Sequence, residues 1–210
     1  KPALATTFRE QNLKALQFAV DTITQHKIQP PGVMGWTDVA NNEAYMAGNL
    51  VTTNNGASLY YAMVAKKHDL ASKTLLILTP GGPGGSFVGS SCYNWGIFQK
   101  SKYADLGEDM IRYLEDEERF SEYMKVSVGQ AGPVYKKRAE DPYWKSDPNF
   151  NAIMQNIIRS VTTGSPGPMT PAAVEVQAQH ILTDMAGRVV TAGLNPEAAL
   201  KEAHARVEEI

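Results

Sequence analysis

Thr74-Leu75-Leu76-Ile77-Leu78 runs directly into Thr79-Pro80-Gly81-Gly82-Pro83-Gly84-Gly85-Ser86. A short unbroken apolar run cut off by proline reads as a strand buried on both faces. The proline-glycine stretch behind it reads as the most flexible part of the chain. It does not cradle phosphate. A P-loop needs Lys-Ser/Thr after its last glycine, so that an ammonium and a hydroxyl reach phosphate and magnesium. Here Gly85 leads into Ser86-Phe87, and no lysine follows until Lys100. A dinucleotide fingerprint fails as well: counted from Gly82, the third position is Gly84 but the sixth is Phe87. Gly84-Gly85-Ser86-Phe87-Val88 lacks the closing glycine of a hydrolase elbow. What is left is a mobile turn, after which Phe87 to Phe98, rich in aromatic and β-branched residues, continues as extended chain.

Helical periodicity dominates on both sides. Leu13, Leu16, Val20 and Ile23 mark one face of a helix from Phe8 to about His26, stopped by Pro30-Pro31-Gly32. A second helix is expected from Thr37 to Gly48, then a short strand at Leu50-Val51-Thr52-Thr53. The turn Asn54-Asn55-Gly56 opens a helix from Ser58 to Lys67. Further on, Leu106, Met110 and Leu114 form one stripe, and Phe120, Met124 and Val128 another. Asp147-Pro148, Thr170-Pro171 and Asn195-Pro196 each pair a capping side chain with a proline suited to the first helical turn. Val174, Ala178, Ile181, Met185 and Val189 read as one long helix ending near Gly193, and Leu200, Ala203, Val207 and Ile210 as the inner face of the last. The fold class is helix-rich α/β with a few short strands.

Composition narrows the function. The 210 residues carry 20 Lys+Arg against 22 Asp+Glu, a net charge of −2, so no basic field invites nucleic acid. No apolar run approaches the roughly 18 residues of a membrane span. The opening Lys1-Pro2-Ala3-Leu4-Ala5 lacks the apolar core of a secretory signal; either the protein is cytoplasmic or a leader has been removed. The single cysteine, Cys92, excludes an internal disulfide and a thiolate zinc cluster, and the four scattered histidines offer no metal-ligand spacing. Neither a metal nor a cofactor is expected. Cys92 has no positive neighbour to lower its pKa and reads as an inert buried thiol. The run Glu115-Asp116-Glu117-Glu118 reads as a solvated junction between helices rather than a catalytic acid pair.

Two clusters of aromatic and small polar residues follow turns: Asn55-Gly56-Ala57-Ser58-Leu59-Tyr60-Tyr61 and Gly89-Ser90-Ser91-Cys92-Tyr93-Asn94-Trp95. Sugars are held by aromatic rings against their C–H faces and by amides, hydroxyls and backbone N–H groups against their hydroxyls. Both clusters offer that mixture. The same pattern also suits amphipathic residues at the edge of a core.

The order of these pieces resembles the C-terminal half of the extracellular solute-binding proteins of ABC importers, in the maltose- and glycerol-phosphate-binding branch. Ala15-Leu16-Gln17-Phe18, Trp36-Thr37-Asp38, Ala47-Gly48-Asn49-Leu50-Val51 and Thr53-Asn54-Asn55-Gly56 fall in the family's order. So do Leu78 to Gly85, Phe87 to Ser91 with Trp95-Gly96-Ile97, Gly132-Pro133-Val134-Tyr135 and Gly193 to Leu200.

The resemblance implies a type II periplasmic-binding-protein fold, two-lobed, of which this chain is the C-terminal half. Residues 1–75 and 134–210 would belong to the C-terminal lobe and residues 76–133 to the hinge and the N-terminal lobe, the N-terminal half being absent. Ligand contact is carried over to Asn55, Gly56, Ser58, Tyr60, Gly89, Ser90, Ser91, Tyr93, Asn94 and Trp95. The turn from Gly167 to Val174 lacks the aromatic or arginine that maltose- or glycerol-phosphate-type sites place there, which argues against those two ligands. The expected role is non-enzymatic: capture of a small carbohydrate-like solute in the periplasm or outside the cell, for delivery to ABC permease subunits in the membrane. The expected partners also include a missing N-terminal half or a second copy. The rivals are a sugar or ester hydrolase, for which no paired acid/base or activated nucleophile is visible, and a non-catalytic oligomerising α/β module.

Overall fold

Among the described residues, side-chain caps start four of the helices. In the computed structural model, which describes residues 10–89, 94–130 and 132–210, the elements in chain order are α1 (Glu10–Thr24), α2 (Ala40–Met46), α3 (Ser58–Ala65), β1 (Val88–Gly89), α4 (Ala104–Leu114), α5 (Glu117–Val126), α6 (Lys136–Ala139), α7 (Pro148–Ile158), β2 (Ser160–Val161), α8 (Pro171–Ala178), α9 (Ile181–Ala192) and α10 (Pro196–Glu208). Asp116 accepts from the N–H groups of Glu118 and Arg119 to start α5. Asp147 accepts from Asn149 N at 2.7 Å, Thr170 from Ala173 N at 3.2 Å, and Asn195 from Glu197 N at 2.9 Å. Each of these last three is followed by proline at the first helical position, where the missing N–H has no intrahelical role. These starts are the ones the sequence predicts.

The chain divides into two compact units, Lys1–Asn41 with Thr162–Ile210, and Asn42–Val161. In the first unit α1, α9 and α10 bury Leu16, Val20, Ala199 and Leu200 against Met185, Val189 and Val190. The stripe from Val174 to Val189 is not one helix. It breaks at His180, whose φ of 53° is left-handed. Arg206 of α10 spans the break: one guanidinium nitrogen lies 3.4 Å from the Gln179 carbonyl oxygen and the other 3.2 Å from Asp184 Oδ2. The carbonyl that a continuous helix would have used is thus answered from a different helix.

The second unit holds two linked cores. Leu59, Tyr60 and Met63 of α3 form one, and Phe120, Met124, Trp144, Ile153 and Met154 the other. Leu76 and Phe150 pack against both. Phe120 and Met124, before residue 133, therefore share a core with Trp144 and Ile153, after it. Among the described residues the only sheet is the parallel pair β1–β2, with Val88 opposite Ser160 and Gly89 opposite Val161.

Two expected strands are absent from that sheet. Leu50 to Thr53 is irregular, with Val51 95% exposed. Thr74 to Leu78 joins no ladder and is not buried: Leu75 is 69% and Ile77 62% exposed, and only Leu76 points into the cores. Its backbone is held by side-chain amides from α7 instead of by a neighbouring strand, so the apolar run has no second face to bury. The stripe of α4 is likewise real but exposed, with Leu106 at 66% and Met110 at 52%.

Candidate functional site

The first expected cluster surrounds the turn into α3. Asn55 and Gly56 are exposed, and the Asn55 amide nitrogen donates to Asn42 Oδ1 of α2, tying the turn to that helix. Ser58 is half-buried at the first residue of α3. Tyr60 is a core residue. It lies on the same buried face as Leu59 and Met63, flanked by Tyr45, Val128 and Phe150.

The second cluster leaves β1. Gly89 is exposed at the end of the strand, and Asn94 and Trp95 are exposed beyond it. Ser90, Ser91 and Tyr93, together with Cys92, lie outside the described residues. The Trp95 indole N–H donates to Glu115 Oε1 at 3.1 Å. Glu115 caps the end of α4, and its Oε2 lies 3.3 Å from Nη1 of Arg138. Trp95 and Tyr60 are thus held by different neighbours, one at a part-buried ion pair and the other in the core.

The contact of Trp95 with Glu115 and Arg138 was not legible in the sequence. The acidic run gives only the signal of a helix junction, and the partner that makes Glu115 special lies 23 positions away. The rest of that run is used locally: Asp116 caps α5, and Glu117 pairs with Lys137 at 2.7 Å. An open hollow of about 590 Å³ lies beside it, lined by Asp116, Glu117, Glu118, Glu122 and Asp141 among others, and none of the expected ligand residues lines it. Among the described residues no group of three His, Cys, Asp or Glu side chains can hold a metal ion.

Burial raises the Tyr143 phenol above its usual pKa, with smaller contributions from Tyr60 and Asp147. Its hydroxyl is buried with no hydrogen-bond partner among the described residues.

The sequence profile of the bacterial extracellular solute-binding proteins matches residues 5–152. The chain belongs to that family. No curated protein sequence matches it. Among solved structures, this solute-binding chain is similar to maltose-bound MalE3 of T. maritima, at 18% identity and a TM-score of 0.74 over 99% of this chain and 51% of that one. It is also similar to the maltose-maltodextrin binding protein of Alicyclobacillus acidocaldarius, at 15% identity and a TM-score of 0.71 over 95% of this chain and 51% of that one. These likenesses establish the fold, that of type II periplasmic binding proteins. This solute-binding chain spans about half the length of the solved structures it matches. The family and both neighbours are binding proteins, and the family is extracellular. No helix of the described residues is long and apolar enough to cross a membrane.

Proposed function

We propose that this chain is part of the solute-capturing component of an ABC importer, which holds a small carbohydrate-like solute between two lobes and presents it to permease subunits in the membrane. It works in the periplasm or outside the cell. The observation that carries the reading is its likeness, over nearly the whole chain, to one protein bound to maltose and another named for binding maltose and maltodextrin. A solute that touches both lobes only when they are closed favours the closed state, and this population shift is the signal the permease receives. A further half of the polypeptide, or a second copy, completes the cleft in this reading. No covalent step is involved.

The exposed ring of Trp95 is the strongest of the expected contacts, with Asn94, Asn55, Gly56, Ser58 and Gly89 supplying amide, hydroxyl and backbone groups. Tyr60 contributes through the position of α3, since its ring packs in the core. Titration calorimetry of the chain against maltose, cellobiose, trehalose and raffinose tests the proposal. Binding of at least one sugar, weakened by Trp95→Ala, supports it. A cooperatively folded chain that takes none of the four, tested alone and with its cleft completed by the further polypeptide, overturns it.

A further inference from the structure

Glu115 divides its carboxylate between the surface and the core. One oxygen accepts from the Trp95 indole at 3.1 Å. The other lies 3.3 Å from Arg138 Nη1, and Arg138 Nη2 donates to the Glu115 main-chain carbonyl. Arg138 is no ordinary surface cation: its side chain is only 9% exposed. The guanidinium carbon lies 4.2 Å from the centre of the Phe120 ring and 5.1 Å from that of Tyr135. Its own carbonyl accepts from Trp144 Nε1 at 3.1 Å. A planar fork set between aromatic faces has few other orientations, and a largely buried cation needs its counter-charge. The direction of the Glu115 carboxylate is therefore set by the core.

Trp95 itself is 56% exposed, so the contact does not serve to bury the ring. What it fixes is the ring plane. An indole N–H lies at the ring edge, and a hydrogen bond made there leaves the π-face open for stacking. Two residues further along, Ile97 packs over Gly107 of α4, where a Cβ would stand 3.3 Å from Ile97 Cδ1. The segment is thus anchored at both ends of the same helix.

We propose that Glu115, held by Arg138, is the positioning residue that presents the face of Trp95 to a saccharide. The proposal rests on the sugar-binding reading above. Its test follows the indole N–H signals of the full 210-residue chain by two-dimensional NMR, in wild type, Glu115→Ala and Glu115→Gln, with Trp95→Phe assigning the Trp95 signal. The four sugars are titrated in parallel, into the chain alone and with its cleft completed by the further polypeptide. In Glu115→Ala the Trp95 N–H should shift and exchange with water at least roughly tenfold faster, the scale of one lost hydrogen bond, while the Trp144 signal stays in place. Sugar affinity should fall by a similar factor, and Glu115→Gln, which offers one acceptor oxygen to two donors, should fall between Glu115→Ala and wild type in both. An unmoved Trp95 signal in Glu115→Ala overturns the proposal. So does a moved signal with unchanged sugar affinity, where Trp95→Ala weakens binding. If no sugar binds, or Trp95→Ala binds as wild type does, it is the sugar-binding reading that fails, and the presentation of Trp95 to a saccharide fails with it. The N–H signals then decide alone whether Glu115 orients the ring.

Discussion

The carboxamide of Asn149 does for Leu76 what a neighbouring strand would do: Oδ1 accepts from Leu76 N at 2.8 Å, and Nδ2 donates to the carbonyl of Thr74 at 3.1 Å. Asn156 repeats the pattern on Thr79 N and the Ile77 carbonyl, both at 3.1 Å. The spacing explains the match. Seven helical residues advance about 10.5 Å, and three extended residues about 10 Å. A clamp that recurs every third residue of the extended chain cannot follow the two-residue alternation of a sheet, so the run is extended without being a strand.

Asn149 is 8% exposed, so Asn149→Ala leaves a part-buried N–H and a carbonyl without their partner. The expected loss is about 2 kcal/mol or more, measured by urea denaturation. Asn149→Asp keeps the acceptor but sets a carboxylate oxygen against the Thr74 carbonyl at a buried site, and should lose at least as much. Asn156→Ala, at a wetter position, should lose about 1 kcal/mol. Equal stability of Asn149→Ala and wild type would show that the clamp is idle.

Tyr143 stacks on Phe150 with ring centres 4.5 Å apart and meets Trp144 edge-on at 5.3 Å. Tyr143→Phe keeps both contacts and removes a buried hydroxyl that has no partner among the described residues. It should be neutral or stabilising, by up to about 1 kcal/mol. Because the folded state raises the phenol pKa, the native protein holds this proton more tightly than the unfolded chain. The corresponding stability is whole below about pH 10 and falls as the pH rises beyond it. Melting curves from neutral to alkaline pH should show the advantage of Tyr143→Phe widening above about pH 10; a constant gap would contradict this.

Gly129 has a φ of +78°, and a Cβ there would stand 3.0 Å from Ile153 Cδ1 and 3.3 Å from Trp144 Cζ3. Gly129→Ala combines backbone strain with overpacking and should destabilise by about 1–3 kcal/mol. A shift of the urea midpoint below the equivalent of about 0.5 kcal/mol would mean that this part of the core yields easily.

Two tryptophans should separate binding from stability. Trp144 is 2% exposed and Trp95 56%. Trp144→Ala should lose about 3–5 kcal/mol of stability. Trp95→Ala should lose far less, with its main effect of about 1–3 kcal/mol on sugar binding. Calorimetry and melting curves together read both; a large drop in melting temperature for Trp95→Ala would make it a packing residue.

What was legible in the sequence was chemistry contained within one turn of chain. Asp147, Thr170 and Asn195 cap helices because oxygen and N–H lie two or three residues apart, and the proline that follows marks the place. Non-local partners were not legible. His180 carries no glycine or proline signal, and the break there depends on Arg206 from another helix. Leu75, Leu76 and Ile77 look alike on paper, yet only the register of Asn149 and Asn156 decides which one turns inward. In the candidate site, Tyr60 and Trp95 both follow turns in similar company. The buried face of α3 claims one, and the carboxylate of an ion pair, twenty positions further along, claims the other.

The bond from Arg206 to the end of α8 makes the joint at His180 a braced elbow. One side chain grips both arms, Gln179 on one and Asp184 on the other, so the bend between α8 and α9 is governed by a helix that begins only after both have ended. The brace exists only when α10 is docked and Leu200 closes the core beneath it.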